Sequence, residues 1–164
     1  MIANFHTHSS FCDGKNTPEE IILAAIDKGF YAIGFSGHGY TEFDLRYCLK
    51  DTNGYILETY LFFDHNEYNQ ISEKYITEAA ESNCIFEINT GAIARGLRTT
   101  PYPAENLLYV LKEKDAKILL SSDSHSIDTL DFAFEEIKQY LYDIGFRYLH
   151  TLTKDSEFVR YNIQ

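Results

Sequence analysis

Three residues that can bind a metal ion stand close together near the start of the chain. The segment "NFHTHSSFCDG" contains His6 and His8, separated by one residue, followed by Asp13. Because alternate side chains of a strand point to the same side, His6 and His8 could present two imidazoles to one ion. A lone pair of this spacing arises more often by chance or as a hydrogen-bonded pair, so the segment alone indicates a metal site only weakly.

A second group of the same chemical types occurs elsewhere in the chain. The segment "SSDSH" repeats the two-residue step with a carboxylate and an imidazole, Asp123 and His125, and His38 follows an apolar run in "YAIGFSGH". Imidazole and carboxylate ligands accept zinc, manganese and iron alike. The residue types therefore favour a divalent metal and leave its identity open.

Strand and helix patterns alternate along the chain. "IANFHTH" is typical of a strand, and "TPEEIILAAIDKG" predicts a helix with Thr17 as N-cap, Pro18 at the first position, Glu20 in a capping box and Gly29 as its stop. Further strands are predicted in "YAIGFSGHG", "CIFEINTG", "AKILLSSDSH" and "FRYLHTLT". Further helices are predicted in "QISEKYITEAAESN", "AENLLYVLKEKD" and "TLDFAFEEIKQYLYDIG". This alternation predicts an α/β protein built from parallel βα units.

The candidate residues share one kind of position in this pattern. The histidine pair, His38, Asn89 and the Asp123–His125 pair each fall at or near the C-terminal end of a predicted strand. In parallel α/β folds that edge carries the active site. Their joint placement favours a metal site, although Asn89 could equally orient a ligand or cap the following loop.

Composition limits the class of partner. The chain has 164 residues, of which 45% are hydrophobic and 15% aromatic, and this predicts a single compact domain, residues 1–164. A formal net charge of −11 argues against nucleic-acid and anionic-membrane surfaces, which need clustered Lys and Arg. No segment approaches the roughly 18 apolar residues of a spanning helix, and no signal-peptide pattern is present. A cytoplasmic location is expected.

The three cysteines share no metal-binding spacing. Cys12, Cys48 and Cys84 are odd in number and form no CxxC motif. A disulfide framework or zinc finger is therefore not expected. We expect the cysteines to be small buried hydrophobic residues.

Four motifs, in order along the chain, carry a family resemblance: "HTHSSFCDG", "FSGHGYTEFDLRYCLKDTNGYI", "FEINTGAIARGLRTTPYPAENLL" and "ILLSSDSH". They resemble the PHP (polymerase and histidinol phosphatase) superfamily, and within it the monofunctional histidinol-phosphate phosphatases of histidine biosynthesis. The resemblance covers residues 1 to about 57 and about 65 to 150. It implies a distorted (β/α)7 TIM-like barrel with up to three divalent ions, zinc, iron or manganese, at its C-terminal mouth.

The ligands that the resemblance implies fall into two groups. The first group lacks the bridging glutamate of the family and consists of His6, His8 and Asp123. The second group matches another ion completely and consists of Asp13, His38 and His125. The remaining ion of the family uses the same glutamate and two further histidines, none of which has a counterpart here. One or two bound ions are therefore expected.

The chain is short for the implied barrel. A full barrel of this kind usually needs roughly 250 residues. The family's glutamate-bearing strand and two histidine-bearing strands lie where this sequence has residues 57–65, which therefore resemble a junction. We expect a truncated barrel, and since open strand edges are costly, either a homodimer that covers them or a reorganised smaller sheet.

The resemblance implies hydrolysis of a small-molecule phosphate monoester, L-histidinol phosphate, with Asp123 and His125 as catalytic residues. Arg95 and Arg98 follow the "FEIN" strand and could bind the phosphate through their forked donors, or could be solvated loop arginines. Glu42 and Asp44 could recognise an amino group of the substrate, although ordinary loop acids are slightly favoured.

Two histidines fall outside both ligand groups. His65, in "FFDHNEY", is interpreted as part of a polar loop before a helix, and His150 as a structural or surface histidine.

Two functions remain open from the sequence. The first is a metal-dependent phosphatase of the histidinol-phosphate type. The alternative is a catalytically impaired PHP remnant that binds metal and acts as a binding or scaffold module, because the bridging glutamate is missing. A PHP nuclease fits poorly with the acidic charge.

Overall fold

The computed structural model describes residues 2–38, 65–155 and 157–163. They belong to two compact units, one formed by Met1–Tyr60 with Ser121–Phe132 and the other by Leu61–Leu120 with Ala133–Gln164. In the described residues no helix is long and apolar enough to cross a membrane.

The first unit is built on a short parallel strand pair. Strand β1 (Ala3–Asn4) pairs in parallel with β2 (Ala32–Ile33). Both strands are shorter than predicted, and beyond β1 an isolated parallel bridge joins Thr7 to Ser124. The polar segments at the predicted strand ends therefore leave the regular ladder. They form the loops that carry the candidate ligands.

Helix α1 (Pro18–Asp27) follows the prediction closely. The Thr17 side chain accepts from the backbone N–H of Glu20, and the Glu20 carboxylate accepts from the backbone N–H of Thr17, which completes the capping box. Pro18 occupies the first turn, where a missing N–H costs nothing. The buried face of α1 packs Ile21 and Ala25 against Leu130. A short 3₁₀ helix, Ile127–Thr129, precedes Leu130.

The second unit contains the longer elements. They are α2 (His65–Glu81), β3 (Ile85–Asn89), α3 (Gly91–Ala94), α4 (Glu105–Glu113), β4 (Lys117–Ser121, whose last residue is assigned to the first unit), α5 (Phe134–Ile144), β5 (Tyr148–Leu152) and β6 (Phe158–Asn162). Strand β3 pairs with β4, and β5 pairs with β6. The fully buried side chains include Ile88, Leu108, Leu141 and Leu149. They form the apolar interior of this unit.

Two elements differ from the prediction. Helix α2 begins at His65, so His65 is its first residue rather than part of a preceding loop. Strand β6 was not predicted, and it forms an antiparallel hairpin with β5, which departs from the expected parallel βα alternation. Its residues are largely exposed, so they lack the apolar pattern that identifies a buried strand.

The fold class is α/β, as predicted. The described residues form three two-stranded sheets, of which β1–β2 is parallel and β5–β6 is antiparallel, and these sheets do not close into a barrel. Most of the junction expected at residues 57–65 lies outside the described residues. The truncated (β/α)7 barrel and the single-domain organisation therefore stay predictions.

The cysteine interpretation was partly wrong. Cys84 is exposed and Cys12 is only partly buried, and both are free thiols. Cys84 lies between the turn after α2 and the start of β3. Cys48 lies outside the described residues.

Candidate metal centre

A buried asparagine fixes the chain where the candidate site begins. The Nδ2 of Asn4 donates to Ser122 Oγ at 2.7 Å and to the Leu130 carbonyl at 3.2 Å. Its Oδ1 accepts from the backbone N–H groups of His6 at 3.1 Å and Ser122 at 3.2 Å. Asn4 is fully buried, so all of its polar atoms depend on these partners. The end of β1 is thereby tied to the segment that carries Asp123.

Backbone pairing then aligns the two short motifs. The N–H of His8 donates to the Ser124 carbonyl at 2.7 Å, and the N–H of Ser124 donates to the His6 carbonyl at 3.2 Å. Asp123, the residue before Ser124, adopts a positive φ of 48°, a backbone conformation that non-glycine residues seldom occupy. Such conformations persist where the surrounding structure fixes them, often at functional sites.

Gly14 allows the loop after His8 to fold back on the backbone. A Cβ at Gly14 would lie 2.4 Å from the His8 carbonyl oxygen, which no side chain can accommodate without a shift. The N–H of Gly14 donates to Ser9 O at 3.0 Å, and that of Lys15 donates to the His125 carbonyl at 2.8 Å. The close approach of Gly14 to the His8 backbone keeps Asp13 near the segments that carry His8 and His125.

The first group of potential ligands, which we call the His6 cluster, consists of His6, His8 and Asp123. Asp123 Oδ1 lies 3.1 Å from His8 Nε2 and 3.4 Å from His6 Nε2. The two Nε2 atoms are 3.2 Å apart. These three atoms therefore lie close enough to one another to contact a single divalent cation.

The second group, the Asp13 cluster, consists of His8, Asp13, His38 and His125. Asp13 Oδ2 lies 3.1 Å from His38 Nε2 and 3.2 Å from His125 Nε2, and Asp13 Oδ1 lies 3.4 Å from His8 Nδ1. Within each cluster the potential ligand atoms all lie within 4.8 Å of one another. The structure therefore brings together all six of the metal ligands predicted from the sequence.

His8 belongs to both clusters. Its side chain is 2% exposed, with Nε2 towards Asp123 and Nδ1 towards Asp13. Its ring stacks against the rings of His38 and His125, with centroids 4.4 and 4.2 Å apart. The sulfur of Cys12 lies 3.4 Å from its Nδ1. This one imidazole therefore links the two clusters.

The carboxylates set the electrostatics of both clusters. Burial opposes the charged form of His8, but hydrogen bonds with Asp123 and Cys12 and the charge of Asp123 outweigh it, so the pKa of His8 is raised. Burial alone would raise the pKa of Asp13, but the nearby imidazoles of His125, His38 and His8 dominate and lower it. Both clusters thus favour positive charge.

The donor set fits a divalent cation. Asp13 Oδ1 is buried and has no hydrogen-bond partner among the described residues. An unpaired buried carboxylate oxygen is costly, and a bound cation would satisfy it. Histidine and carboxylate ligands suit zinc, manganese or iron. In the described residues, neither cluster includes a glutamate.

The predicted phosphate-binding arginines lie in the second unit. Arg98 donates from Nε to the Thr100 carbonyl at 3.3 Å, and its guanidinium lies 4.3 Å from the centre of the Tyr102 ring. Arg95 is the C-cap residue of α3. Asn89 accepts from the backbone N–H of Gly91 at 2.8 Å, so it caps the loop after β3, one of its two predicted roles.

Glu42 and Asp44 lie outside the described residues. His150 is partly buried, and its Nδ1 lies 3.2 Å from the Ile118 carbonyl, which agrees with a structural histidine.

Sequence reasoning missed Asn4 and Gly14. A polar residue inside the buried run "IANF" and the "DG" pair after the histidines were the available signals.

Comparison with known proteins identifies the family of the chain. Residues 4–157 match the family model described as the PHP domain. A probable histidinol-phosphatase from Schizosaccharomyces pombe is 33% identical over 85 residues, which is 52% of this chain and 28% of that protein. The match therefore spans less than a third of the relative.

One solved structure shares the fold. It is the crystal structure of histidinol phosphate phosphatase from Lactococcus lactis subsp. lactis, complexed with zinc, L-histidinol and phosphate. The TM-score is 0.65 at 15% identity, with 92% of this chain and 96% of that chain covered.

Proposed function

Since this chain belongs to the PHP domain family, we propose that it is a metal-dependent phosphomonoester hydrolase that converts L-histidinol phosphate to histidinol and phosphate. The observation that carries the proposal is the pair of ligand clusters joined at His8. The name of the yeast relative and the ligands of the bacterial structure support the choice of substrate.

The clusters would hold one or two divalent ions, zinc, manganese or iron. Bound divalent ions lower the pKa of a coordinated water and neutralise charge on phosphoryl and leaving-group oxygens. The His6 cluster and the Asp13 cluster each offer a carboxylate of low intrinsic pKa and at least two imidazoles. Because a neutral imidazole has a single lone pair, His8 would coordinate an ion of one cluster and donate a hydrogen bond to the carboxylate of the other.

The backbone prepares His125 and Asp123 for their proposed catalytic roles. The Nδ1 of His125 lies 2.9 Å from the Asp123 carbonyl oxygen, which can only accept a hydrogen bond. Nδ1 therefore carries a proton, and Nε2, 3.2 Å from Asp13 Oδ2, is the nitrogen that would face a bound ion. Such a hydrogen bond fixes the tautomer and orientation of a metal-ligating histidine.

Arg95 and Arg98 are proposed to bind the substrate phosphate. A planar guanidinium offers two parallel donors to phosphate oxygens. Arg98 is held by Thr100 and by the face of Tyr102, which reduces the conformational freedom that binding would otherwise remove. An Arg98→Ala variant with a raised KM and little change in kcat would support this role.

Phosphate release from L-histidinol phosphate tests the proposal directly. The wild-type protein with added Mn²⁺ or Zn²⁺ should release phosphate, whereas an Asp123→Ala, His125→Ala double variant should not. Asp143→Ala removes an exposed carboxylate from α5 and is the matched control. Release no faster than that of the double variant would sink the proposal.

A second candidate function is a binding or scaffold module without catalysis. It is favoured by the absence of a glutamate from both clusters in the described residues. Without a shared carboxylate, two ions are less readily held as a coupled pair. Elemental analysis that finds one or two ions per chain, together with no phosphate release, would favour this candidate.

We also propose a homodimer that covers open strand edges, since the described sheets are two-stranded. A monodisperse monomer in solution scattering would contradict it. A cytoplasmic location, as expected for a biosynthetic enzyme, stays a prediction.

A further inference from the structure

A pocket in the second unit is lined by positively charged side chains. Its volume is about 250 Å³. We define the basic pocket by Lys112, Lys117, Tyr148, His150 and Arg160. None of these residues belongs to the His6 cluster or the Asp13 cluster, so the proposed phosphatase chemistry does not account for them.

The β5–β6 hairpin builds one wall of the basic pocket. His150 and Arg160 are directly opposite each other in the antiparallel register. Tyr148 precedes His150 by two positions and so shares its face of the strand. The Arg160 guanidinium lies 4.7 Å from the centre of the Tyr148 ring, which fixes its position over the wall.

Helix α4 and the start of β4 supply the other cations. Lys117 is the first residue of β4. The Lys112 side chain passes close to Gly145, where an added Cβ would lie 3.1 Å from its Cε. Gly145 ends α5 with a φ of 115°, a conformation that glycine adopts without strain. The absent side chain leaves room for Lys112 along this wall.

The pocket has more positive charge than its surroundings neutralise. In the part of the chain that the structure describes, none of Lys112, Lys117 and Arg160 forms an ion pair. Asp115 is the carboxylate that lines the pocket. Arg147 also lines it but donates to the carbonyls of Tyr142 and Phe146 at 2.8 and 2.7 Å. Such an excess is notable in a chain with a net charge of −11.

His150 responds to this positive environment. Burial together with the charges of Lys117 and Arg160 lowers its pKa, against the raising effects of the Ile118 carbonyl and Asp115. Its Nδ1 faces the Ile118 carbonyl oxygen and therefore carries the proton. The cations thus act on the interior of the pocket, where a bound anion would offset them.

We propose that the basic pocket binds a small phosphorylated metabolite through Lys112, Lys117 and Arg160. Phosphate oxygens match both the ammonium groups and the forked guanidinium. The volume is below the roughly 300–1,000 Å³ of drug-sized pockets, so a diphosphate group or a compact phosphate monoester fits better than a nucleotide. The net charge of the chain disfavours a nucleic acid on this surface.

Inorganic pyrophosphate is the probe, titrated by calorimetry into full-length protein from which metal has been removed with a chelator and dialysed away. Metal removal eliminates ion-mediated binding at the two clusters. Saturable binding of one pyrophosphate per chain is expected. In NMR spectra the His150 ring signals should shift, while those of the cluster histidines should stay in place.

A charge-matched pair of variants makes the test specific. Lys117→Ala with Arg160→Ala should weaken pyrophosphate binding by roughly tenfold or more, since charge-assisted hydrogen bonds are lost. Lys74→Ala with Lys154→Ala removes the same charge from exposed positions and should leave the affinity unchanged. If the first double variant does not fold, Lys112→Gln replaces it.

Three results would overturn the proposal: no binding by the wild-type protein, equal weakening in both double variants, or unchanged affinity when the pocket cations are removed. The first would show that the pocket is only a surface depression. The second would reduce the effect to net charge. The third would place the anion elsewhere on the chain.

Discussion

His8 and His150 are both removed from solvent to a large extent, yet their surroundings are opposite in charge. His8 lies between Asp13 and Asp123 in the first unit, and its pKa is raised although burial alone would lower it. His150 lies beside Lys117 and Arg160 in the second unit, and burial and these charges lower its pKa. Each histidine also hydrogen-bonds a neighbour that limits its orientation.

The difference shows how the charge of the neighbours decides the kind of ligand. Carboxylates around His8 make the addition of positive charge favourable, whether as a proton or as a metal ion. Ammonium and guanidinium groups around His150 make the addition of negative charge favourable. The same residue type therefore belongs to a proposed cation site in one unit and a proposed anion site in the other.

The largest expected effect is on metal binding. Because His8 belongs to both clusters, His8→Ala should weaken metal binding at both of them. The loss should exceed about 100-fold in affinity, since changing a residue that merely orients a ligand already costs about 10–100-fold. His150→Ala, the matched control, should keep the full metal content in elemental analysis of dialysed protein.

Cluster-specific variants sharpen the same comparison. His6→Ala should impair only the His6 cluster, and His38→Ala only the Asp13 cluster. If the metal content fell equally in the His8 and His150 variants, the assignment of His8 but not His150 to a metal site would be wrong.

A smaller effect is expected at the asparagine that ties the ligand segments together. Asn4→Ala should lower the free energy of unfolding by about 1–3 kcal/mol, because the backbone N–H groups of His6 and Ser122 lose their acceptor. Metal affinity should fall as well. Urea denaturation and metal titration measure the two effects, with Asn106→Ala at an exposed position of α4 as the control. A variant as stable as the wild type would show that the Asn4 bonds contribute little.

The two histidines should give the stability of metal-free protein opposite dependences on pH. The raised pKa of His8 stabilises the fold below its ordinary value of 6.5, and this contribution is lost as the pH rises through the folded-state pKa. The lowered pKa of His150 removes stability as the pH falls below 6.5 towards its folded-state pKa.

Urea denaturation across this pH range measures both contributions. Between about pH 7 and pH 5, His150→Asn should lose less stability than the wild type, because the group that must stay neutral is gone. His8→Asn should lose less stability than the wild type as the pH rises above that range. If both variants altered the pH dependence of the free energy of unfolding in the same direction, the opposite pKa shifts assigned to the two histidines would be contradicted.

The smallest expected effect is on the pKa values themselves. Lys117→Ala should raise the pKa of His150, because one of the positive charges that lowers it is removed. Asp123→Asn should lower the pKa of His8, because the substitution removes a negative charge and weakens a hydrogen bond to the imidazole. NMR titration of the ring protons in metal-free protein measures each shift, and Lys154→Ala should leave both unchanged.

Some parts of the fold were predictable because their causes are local. Helix α1 could be predicted from Thr17, Pro18 and Glu20, whose capping interactions involve residues close together in sequence. The β1 and β2 boundaries could not, because strand length depends on which distant segment supplies hydrogen bonds. The β5–β6 hairpin was missed for the same reason, since its exposed outer strand has little apolar pattern of its own.

The candidate site divides in the same way. The sequence by itself predicted the six proposed ligand residues, through the spacing of two short motifs, the position of His38 after an apolar run, and the resemblance that assigned Asp13. Tertiary structure alone decided that His8 would join the two clusters, because its two ring nitrogens face carboxylates that are far apart in sequence. It also decided that Lys117, His150 and Arg160 would share a pocket, since sheet register and strand packing bring them together.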